Sequence, residues 1–298
     1  MKFWELREPA GSDYKHVHTS GRLDHPFRMP TVKCEQCGEI VVNFDAVLPL
    51  ECPVPFRTNK LLTDHATEIP MGQFKKLVFD MSAELRGTAV KKASLVPGAC
   101  FQPGYLDVPS TPRSDFLWSD SWTGLHTVVV SQRIKDILES EAGSQVVLYP
   151  VVPRRIGKRS AKSAPRIPKS GEPEDSLLGY RTAANPHAVG PYYHLRVLAE
   201  TAYPPGTEPK PGPACRVCGE EMKFDSARWR AQQAAWKALT PESLASIWKG
   251  SHIFRLPDRE TILITDQLKI KIERLKATCV SFREFPSPPQ NLPRERNH

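Results

Sequence analysis

The chain has 298 residues, of which 40% are hydrophobic and 25% are charged, so it is long and apolar enough to bury a substantial core. Its 29 prolines are about twice the usual share, which disfavours a long helical bundle and favours short strands and helices joined by irregular loops. No run approaches the ~18 apolar residues of a membrane span, and the first residues lack the apolar segment of a secretory signal. We therefore expect a soluble cytoplasmic protein.

Most of the formal net charge of +8 is concentrated in one stretch of the chain. Seven basic residues and no acidic residue lie between Pro153 and Ser170: Arg154, Arg155, Lys158, Arg159, Lys162, Arg166 and Lys169. This stretch is rich in Pro, Ser and Gly, which is typical of a solvated linker rather than of a folded nucleic-acid-binding surface. We predict a basic linker over residues 153–177, between a first half at 1–152 and a second half at 178–286, with a flexible tail at 287–298.

Apolar periodicity and capping residues predict helices in both halves. In the first half, five apolar residues recur at helical spacing before Gly87 and define an amphipathic helix: Phe74, Leu77, Val78, Met81 and Leu85. In the second half, residues 226–239 carry Trp229 and Trp236, which we interpret as anchors of a helix to the core. A short helix follows them, because Thr240 is a good N-cap and a proline comes directly after it.

Two blocks of sequence resemble each other and predict an internal repeat. Residues 127–139 align without gaps with residues 261–273, and both blocks have Thr, Lys and Glu at the same positions. Each block predicts a β-branched strand followed by a helix, with an N-cap at Ser131 in the first block and at Thr265 in the second. The helix of the first block is expected to end at Gly143. A returning strand follows each helix, so we expect each half to hold a parallel strand pair with a right-handed crossover. Strand-like segments also lie earlier in each half, at residues 2–7 and 192–197.

Four of the seven cysteines form two Cys-x-x-Cys-Gly pairs, Cys34 with Cys37 and Cys215 with Cys218. Two intervening residues allow both thiolates of a pair to face one ion, and the following glycine allows the tight turn. One pair supplies two ligands and a structural zinc ion takes four, so the two pairs together predict one four-cysteine zinc site per chain. The odd number of cysteines and the absence of a signal sequence argue against a disulfide framework.

Other interpretations of the cysteine pairs stay open at the level of sequence. Residues 38–214 separate the pairs, far more than the ~15–20 residues of a usual zinc ribbon, so a shared site requires the halves to meet in space. Two separate sites would need further ligands such as Cys52, His65 or Cys279. A thioredoxin-like redox pair would need no metal, and neither would a former metal site whose thiols are now reduced and unbound. Cys52, Cys100 and Cys279 stand singly, which is typical of buried structural cysteines.

No sequence motif nominates a catalytic residue. The chain lacks HExxH, GxSxG, GxxxxGK[ST] and GxGxxG motifs, and its nine histidines are scattered. A zinc ion held by four cysteines has no open position for water or substrate, so the predicted site is structural rather than catalytic. We therefore predict that the protein is not an enzyme and keep an enzyme of unrecognised type as a further hypothesis.

Several of these segments together resemble the myxobacterial double-CXXCG protein family. The resemblance is carried by the two cysteine pairs and by segments along nearly the whole chain: residues 1–8, 95–98, 103–104, 254–256, 262–265 and 280–285. Members of this family are regarded as immunity proteins of the Sit, or swarming-inhibition, toxin system. The resemblance implies a cytoplasmic, non-enzymatic protein that binds and neutralises one cognate toxin delivered by neighbouring kin cells.

The predicted fold is of the α+β class, with two related halves joined by the shared four-cysteine zinc site. Each half combines a cysteine knuckle, at residues 34–38 or 215–219, with a strand–helix–strand unit, at residues 127–152 or 261–285. The predicted function is that of an immunity protein with a toxin as its protein partner. The alternative is a zinc-ribbon nucleic-acid-binding protein that holds phosphates with the basic residues 154–169, which the distribution of charge disfavours.

Overall fold

The computed structural model describes residues 1–9, 20–43, 46–63, 68–108, 114–120, 126–156, 180–182, 191–208, 214–219, 226–257, 259 and 261–286. In these ranges the protein has a mixed α+β fold with several sheets, as the sequence predicts. None of the helices in the described ranges combines the length and the apolar character that crossing a membrane requires. The predicted tail at 287–298, and the basic segment from residue 157 onward, lie outside the described residues.

The described ranges contain sixteen strands and six α-helices. The strands are β1 (Phe3–Arg7), β2 (Ser20–Asp24), β3 (Thr31–Lys33), β4 (Ile40–Val41), β5 (Val47–Glu51), β6 (Glu68–Pro70), β7 (Cys100–Gln102), β8 (Gly104–Val108), β9 (Phe116–Asp120), β10 (His126–Ser131), β11 (Val146–Ile156), β12 (Tyr180–Thr182), β13 (Tyr192–Val197), β14 (Ile253–Arg255), β15 (Ile262–Thr265) and β16 (Ser281–Phe285). The helices are α1 (Lys60–Thr63), α2 (Met71–Glu84), α3 (Gln132–Ala142), α4 (Ser226–Lys237), α5 (Pro241–Ile247) and α6 (Asp266–Arg274).

The largest sheet closes into a small barrel. Its order is β12-β11-β13-β10-β9-β2-β8, and β8 pairs in parallel with β11, so that six strands form a ring. Each of these six strands contributes one residue to a buried apolar cluster: Leu23, Leu106, Leu117, Val129, Val151 and Tyr192. The interior of a ring of this size is filled by its own side chains, and these six residues fill it here.

The two predicted strand–helix–strand units are present, as β10–α3–β11 and β15–α6–β16. The expectation that the two strands of each unit are direct neighbours is wrong. β13 lies antiparallel between β10 and β11, and β1 lies antiparallel between β15 and β16. The two strands of each unit are therefore parallel to each other but one position apart in the sheet.

The two units pack against each other over a single apolar core. The inner faces of α3 and α6 contribute Ile134, Leu138, Leu268 and Ile272 to this core, together with residues of β10, β13, β1 and β15. Lys271 of α6 forms an ion pair with Glu141 of α3 across the interface, which lowers the pKa of that carboxyl. The barrel and the four-stranded sheet, of order β14-β15-β1-β16, are thus joined through their helices.

A separate module occupies residues 27–101, between β2 and β8. It contains a three-stranded sheet of order β4-β3-β6, a two-stranded sheet of β5 and β7, and helix α2 over a core of its own. The predicted amphipathic face is confirmed, because all five of its apolar residues are buried in that core. This module carries the first cysteine pair, directly after β3.

The helix ends are mostly where capping residues predict them. Thr265 accepts a hydrogen bond from the N–H of Leu268, and Thr240 forms a capping box with Ser243. Ser131 stands at the N-cap position of α3, but its hydroxyl donates to Asp115 at 2.8 Å instead of accepting from the helix. The side-chain cap predicted there is wrong because a distant carboxylate takes the hydroxyl. Trp236 anchors α4 to the core as predicted, whereas the side chain of Trp229 lies outside the described residues.

Candidate metal centre

The first cysteine pair forms a tight turn between β3 and β4. Cys34 follows the last residue of β3, and its backbone N–H donates to the carbonyl of Glu39 at 2.8 Å. The N–H of Gly38 donates back to the carbonyl of Cys34 at 2.9 Å. Gly38 has a φ of +77°, a conformation that a side chain would strain, so the glycine of the motif is required by the turn.

The second cysteine pair forms the same turn on a different part of the chain. The N–H of Gly219 donates to the carbonyl of Cys215 at 2.8 Å, and Gly219 has a φ of +79°. The two glycines therefore serve the same purpose at the same position of each motif. The motif Cys-x-x-Cys-Gly encodes this turn locally, whatever the structure on either side of it.

The two turns face each other, and their four sulfur atoms converge. The Sγ atoms of Cys34 and Cys215 lie 3.7 Å apart, and those of Cys37 and Cys218 lie 3.6 Å apart. All four sulfurs lie within 4.8 Å of one another. A tetrahedral ion bound at ~2.3 Å requires sulfurs about 3.8 Å apart, whereas a disulfide would bring them to about 2.05 Å. The cluster therefore has the dimensions of a site for one metal ion.

The site is closed on one side and half-open on the other. Cys34 and Cys215 are only 1% and 2% exposed, whereas Cys37 and Cys218 are half-buried. The side chain of Gln36 reaches across from the first turn and accepts a weak contact from Cys215 at 3.5 Å. This burial keeps water away from two of the sulfurs.

Backbone amides prepare the second pair for metal binding. The N–H groups of Cys218 and Val217 point at the sulfur of Cys215 and lower the pKa of this thiol to about 6. At Cys37 the N–H of Glu39 acts in the same direction, but burial and the neighbouring Cys34 outweigh it, so the pKa of the Cys37 thiol is raised. A divalent ion would hold all four groups as thiolates, because metal binding displaces the thiol protons.

The remaining cysteines lie apart from this cluster. Cys52 is buried in the core of the 27–101 module, and Cys100 lies at the start of β7. Cys279 donates to the hydroxyl of Ser114 at 3.0 Å. His65, considered as a ligand from sequence, lies outside the described residues. Among the described side chains, the four paired cysteines form the one group of three or more His, Cys, Asp or Glu residues placed to bind a metal, which favours one shared site over two.

A second polar cluster lies inside the barrel, and sequence analysis did not reveal it. The rings of His25 and His194 are 6.4 Å apart, and Tyr149 lies 6.0 Å from His194. His25 shares a hydrogen bond with the carbonyl of Phe101 at 2.9 Å, and Gly104 leaves the space that the ring of His25 needs. Burial, together with the charges of His25 and Arg196, lowers the pKa of His194 to about 3, so its imidazole is neutral at physiological pH.

A buried carboxylate ties the barrel to the second unit. Asp115, 4% exposed, accepts hydrogen bonds from the hydroxyl of Ser131 and from the N–H of Thr278 at 3.1 Å. Arg133 also lies 3.5 Å from this carboxylate. Because Thr278 belongs to the loop between α6 and β16, the contact fixes that loop against the start of α3.

Comparisons with protein-family models, with curated proteins and with solved structures found no match to this chain.

Proposed function

We propose that this protein is an immunity protein that binds and neutralises a cognate toxin exchanged between kin bacterial cells, and that it acts in the cytoplasm. The observation that carries the proposal is the convergence of both Cys-x-x-Cys-Gly turns into one cluster. The family that the sequence resembles is defined by these two motifs at a wide spacing. A shared cluster gives the wide spacing a physical purpose, because it requires both motifs and both parts of the chain.

We further propose that the ion is zinc and that its role is structural. Four thiolates at the corners of a tetrahedron are the donor set that zinc prefers. They would fill its coordination shell, so water and substrate would have no position on the metal. The ion would hold residues 214–219 against the 27–101 module, and these two segments are candidates for the surface that recognises the toxin.

A third part of the proposal is that the two strand–helix–strand units are repeats of one ancestral unit. Identical residues at matching positions support it: Thr127 with Thr261, Lys135 with Lys269, Glu139 with Glu273 and Val146 with Val280. The two units also share their element order and an antiparallel strand between their parallel strands. Under this proposal one unit became part of the barrel and the other part of the four-stranded sheet.

The immunity function is tested by deleting the gene and growing the deletion strain among parental cells. The expected result is inhibition of the deletion strain, full rescue by the intact chain, and binding of the purified chain to the product of the toxin gene beside it. Normal growth of the deletion strain among parental cells would contradict the proposal. Salt-sensitive binding of the purified chain to duplex DNA or RNA, lost when the basic residues between 154 and 169 are replaced, would favour the nucleic-acid-binding alternative.

A further inference from the structure

Each strand–helix–strand unit holds a third strand that comes from the other half of the chain. β13 belongs to the second half and lies in the unit of the first half, between β10 and β11. β1 begins the first half and lies in the unit of the second half, between β15 and β16. The two inserted strands have related sequences, Phe-Trp-Glu-Leu-Arg and Tyr-Tyr-His-Leu-Arg.

The two inserted strands also have the same register. Each pairing of β1 has its counterpart at β13, with Phe3 opposite Thr265 and Phe285, and Tyr192 opposite Ser131 and Val151. The partners Thr265 and Ser131 occupy the same position of the aligned blocks, and so do Phe285 and Val151. A shift of one residue in either strand would turn its side chains to the opposite faces, so an agreement in register is an agreement in every side-chain direction.

The side chains that face the helices make the same three contacts in both units. Trp4 donates from its ring nitrogen to Asp266, the first residue of α6, at 2.9 Å, and Tyr193 donates from its hydroxyl to Gln132, the first residue of α3, at 2.6 Å. A lysine one turn further along each helix covers the aromatic ring, Lys269 over Trp4 and Lys135 over Tyr193. Each lysine in turn pairs with a glutamate four residues later, at 2.7 Å in both helices.

The next side chain on the same face is a leucine in both strands. Leu6 and Leu195 each enter the core that the two units share, and each is 5% exposed. Each unit therefore accepts the same two side chains on the face toward its helix. The first is an aromatic side chain that donates a hydrogen bond, and the second is a leucine two residues later.

The opposite face distinguishes the two strands. Phe3 packs against the rings of Trp248 and Phe254, both at 5.5 Å, while the corresponding Tyr192 donates its hydroxyl to the carbonyl of Ser114 inside the barrel. Glu5 forms an ion pair with Arg283 near the surface. The residue that corresponds to Glu5 is His194 in the barrel, whose neutral imidazole forms no such ion pair. These differences direct each strand to its own sheet.

We propose that the groove between the parallel strands of each unit is a strand-binding site, and that β1 and β13 each fill the site of the other half. The chain is then a strand-exchanged pair of units within one molecule. This inference uses the repeat relation proposed above and is independent of the immunity function. Neither half can complete its own sheet, so the halves stay joined through two reciprocal insertions even where the metal is removed.

Two pairs of engineered cysteines in the full-length protein distinguish the exchanged from the unexchanged arrangement. In the structure Arg7 lies opposite Ser281, and Arg196, the counterpart of Arg7, lies opposite Val147. Directly opposite residues of antiparallel strands have the Cα separation that a disulfide bond needs. If β1 were in the unit of its own half, Arg7 would therefore face Val147. The variants are Arg7→Cys with Ser281→Cys, and Arg7→Cys with Val147→Cys.

The expected result after mild oxidation is a bond between positions 7 and 281 within one chain, mapped by mass spectrometry of the peptides, and no bond between positions 7 and 147. Circular dichroism and gel filtration identify folded monomers, and each single variant shows whether a native cysteine forms bonds with the new one. A bond between positions 7 and 147 would contradict the proposed strand exchange but would agree with the proposed repeat relation. A bond between positions 7 and 281 of two different chains would also overturn it, because the exchange would then occur between copies.

Discussion

The sulfur atoms of Cys34 and Cys215 lie 3.7 Å apart although 181 positions separate the two residues along the chain. Such a contact closes a very long loop. The entropic cost of closing this loop is offset only if the rest of the fold brings the two segments together. Here the strand insertions, the common core of the two units and the Asp115 contact provide this organisation. A metal ion at the cysteines would therefore stabilise an arrangement that the strands have already determined.

The first prediction concerns the metal content. We expect one zinc ion per chain in protein purified without chelators, because four sulfurs at this spacing form one tetrahedral site. Elemental analysis with the protein concentration measured independently gives the ratio. The variant Cys218→Ser is expected to lose the ion, and Cys279→Ser, which lies outside the cluster, is the matched control that keeps it. A ratio of zero or two for the intact chain would show that the shared site is wrong.

The second prediction concerns acid stability and His194. The pKa of this imidazole, whose Nδ1 atom is buried, is lowered to about 3 from its ordinary 6.5, so the folded state excludes a proton that the unfolded state binds below pH 6.5. Its effect on stability is therefore constant above pH 6.5 and becomes increasingly unfavourable as the pH falls toward 3. One excluded proton lowers the free energy of unfolding by up to about 1.4 kcal/mol per pH unit.

Denaturant unfolding of the intact chain and of His194→Leu between pH 7.5 and pH 4.5 measures this effect. The variant is expected to lose less stability than the intact chain as the pH falls, whatever its stability at pH 7.5. His252→Gln is the control, because His252 lies outside the barrel, where its ring contacts the hydroxyl of Thr265. Parallel pH profiles for the intact chain and His194→Leu would contradict the prediction.

The third prediction concerns Trp4. Tyrosine already performs the corresponding role at position 193, so Trp4→Tyr is expected to keep the hydrogen bond to Asp266 and the contact with Lys269. Trp4→Phe loses the hydrogen bond and Trp4→Leu loses both contacts, at about 1 kcal/mol or more for each. Thermal melts should therefore rank the variants in the order Tyr, Phe, Leu from most to least stable. A Tyr variant no more stable than the Leu variant would show that the two units do not bind their inserted strands alike.

The local features of this structure could be predicted from the sequence. The cysteine turns, the amphipathic face of α2 and the cap at Thr240 depend on residues only a few positions apart, and all were predicted correctly. The same is true of the strand–helix–strand order in both halves, because β-branched runs, capping residues and helical periodicity are local signals.

The neighbours of each strand could not be predicted in this way. Strand pairing depends on contacts between distant segments, and nothing within residues 3–7 indicates that they lie beside residues 281–285 rather than beside β11. The closure of the barrel and the meeting of His25 with His194 follow from the same distant pairings. The missing side-chain cap at Ser131 is a further case, because its hydroxyl donates to Asp115, which lies directly before β9. One available signal was the similarity between residues 3–7 and 192–196, each of which precedes a Cys-x-x-Cys-Gly pair.

The last prediction concerns loss of one metal ligand in the variant Cys215→Ser. We expect this variant to lose the ion and to melt at least about 5 °C lower, since each kcal/mol shifts the midpoint by about 2–4 °C in a protein of this size. It should keep its secondary structure, because both strand insertions and the common core lie outside the cluster. It should nevertheless fail to protect cells from the cognate toxin, because residues 214–219 would no longer be held against the 27–101 module. Circular dichroism, metal analysis and a toxin challenge, with Cys279→Ser as control, check these three points. Full protection by a folded, metal-free variant would show that toxin recognition does not need the two segments in fixed positions.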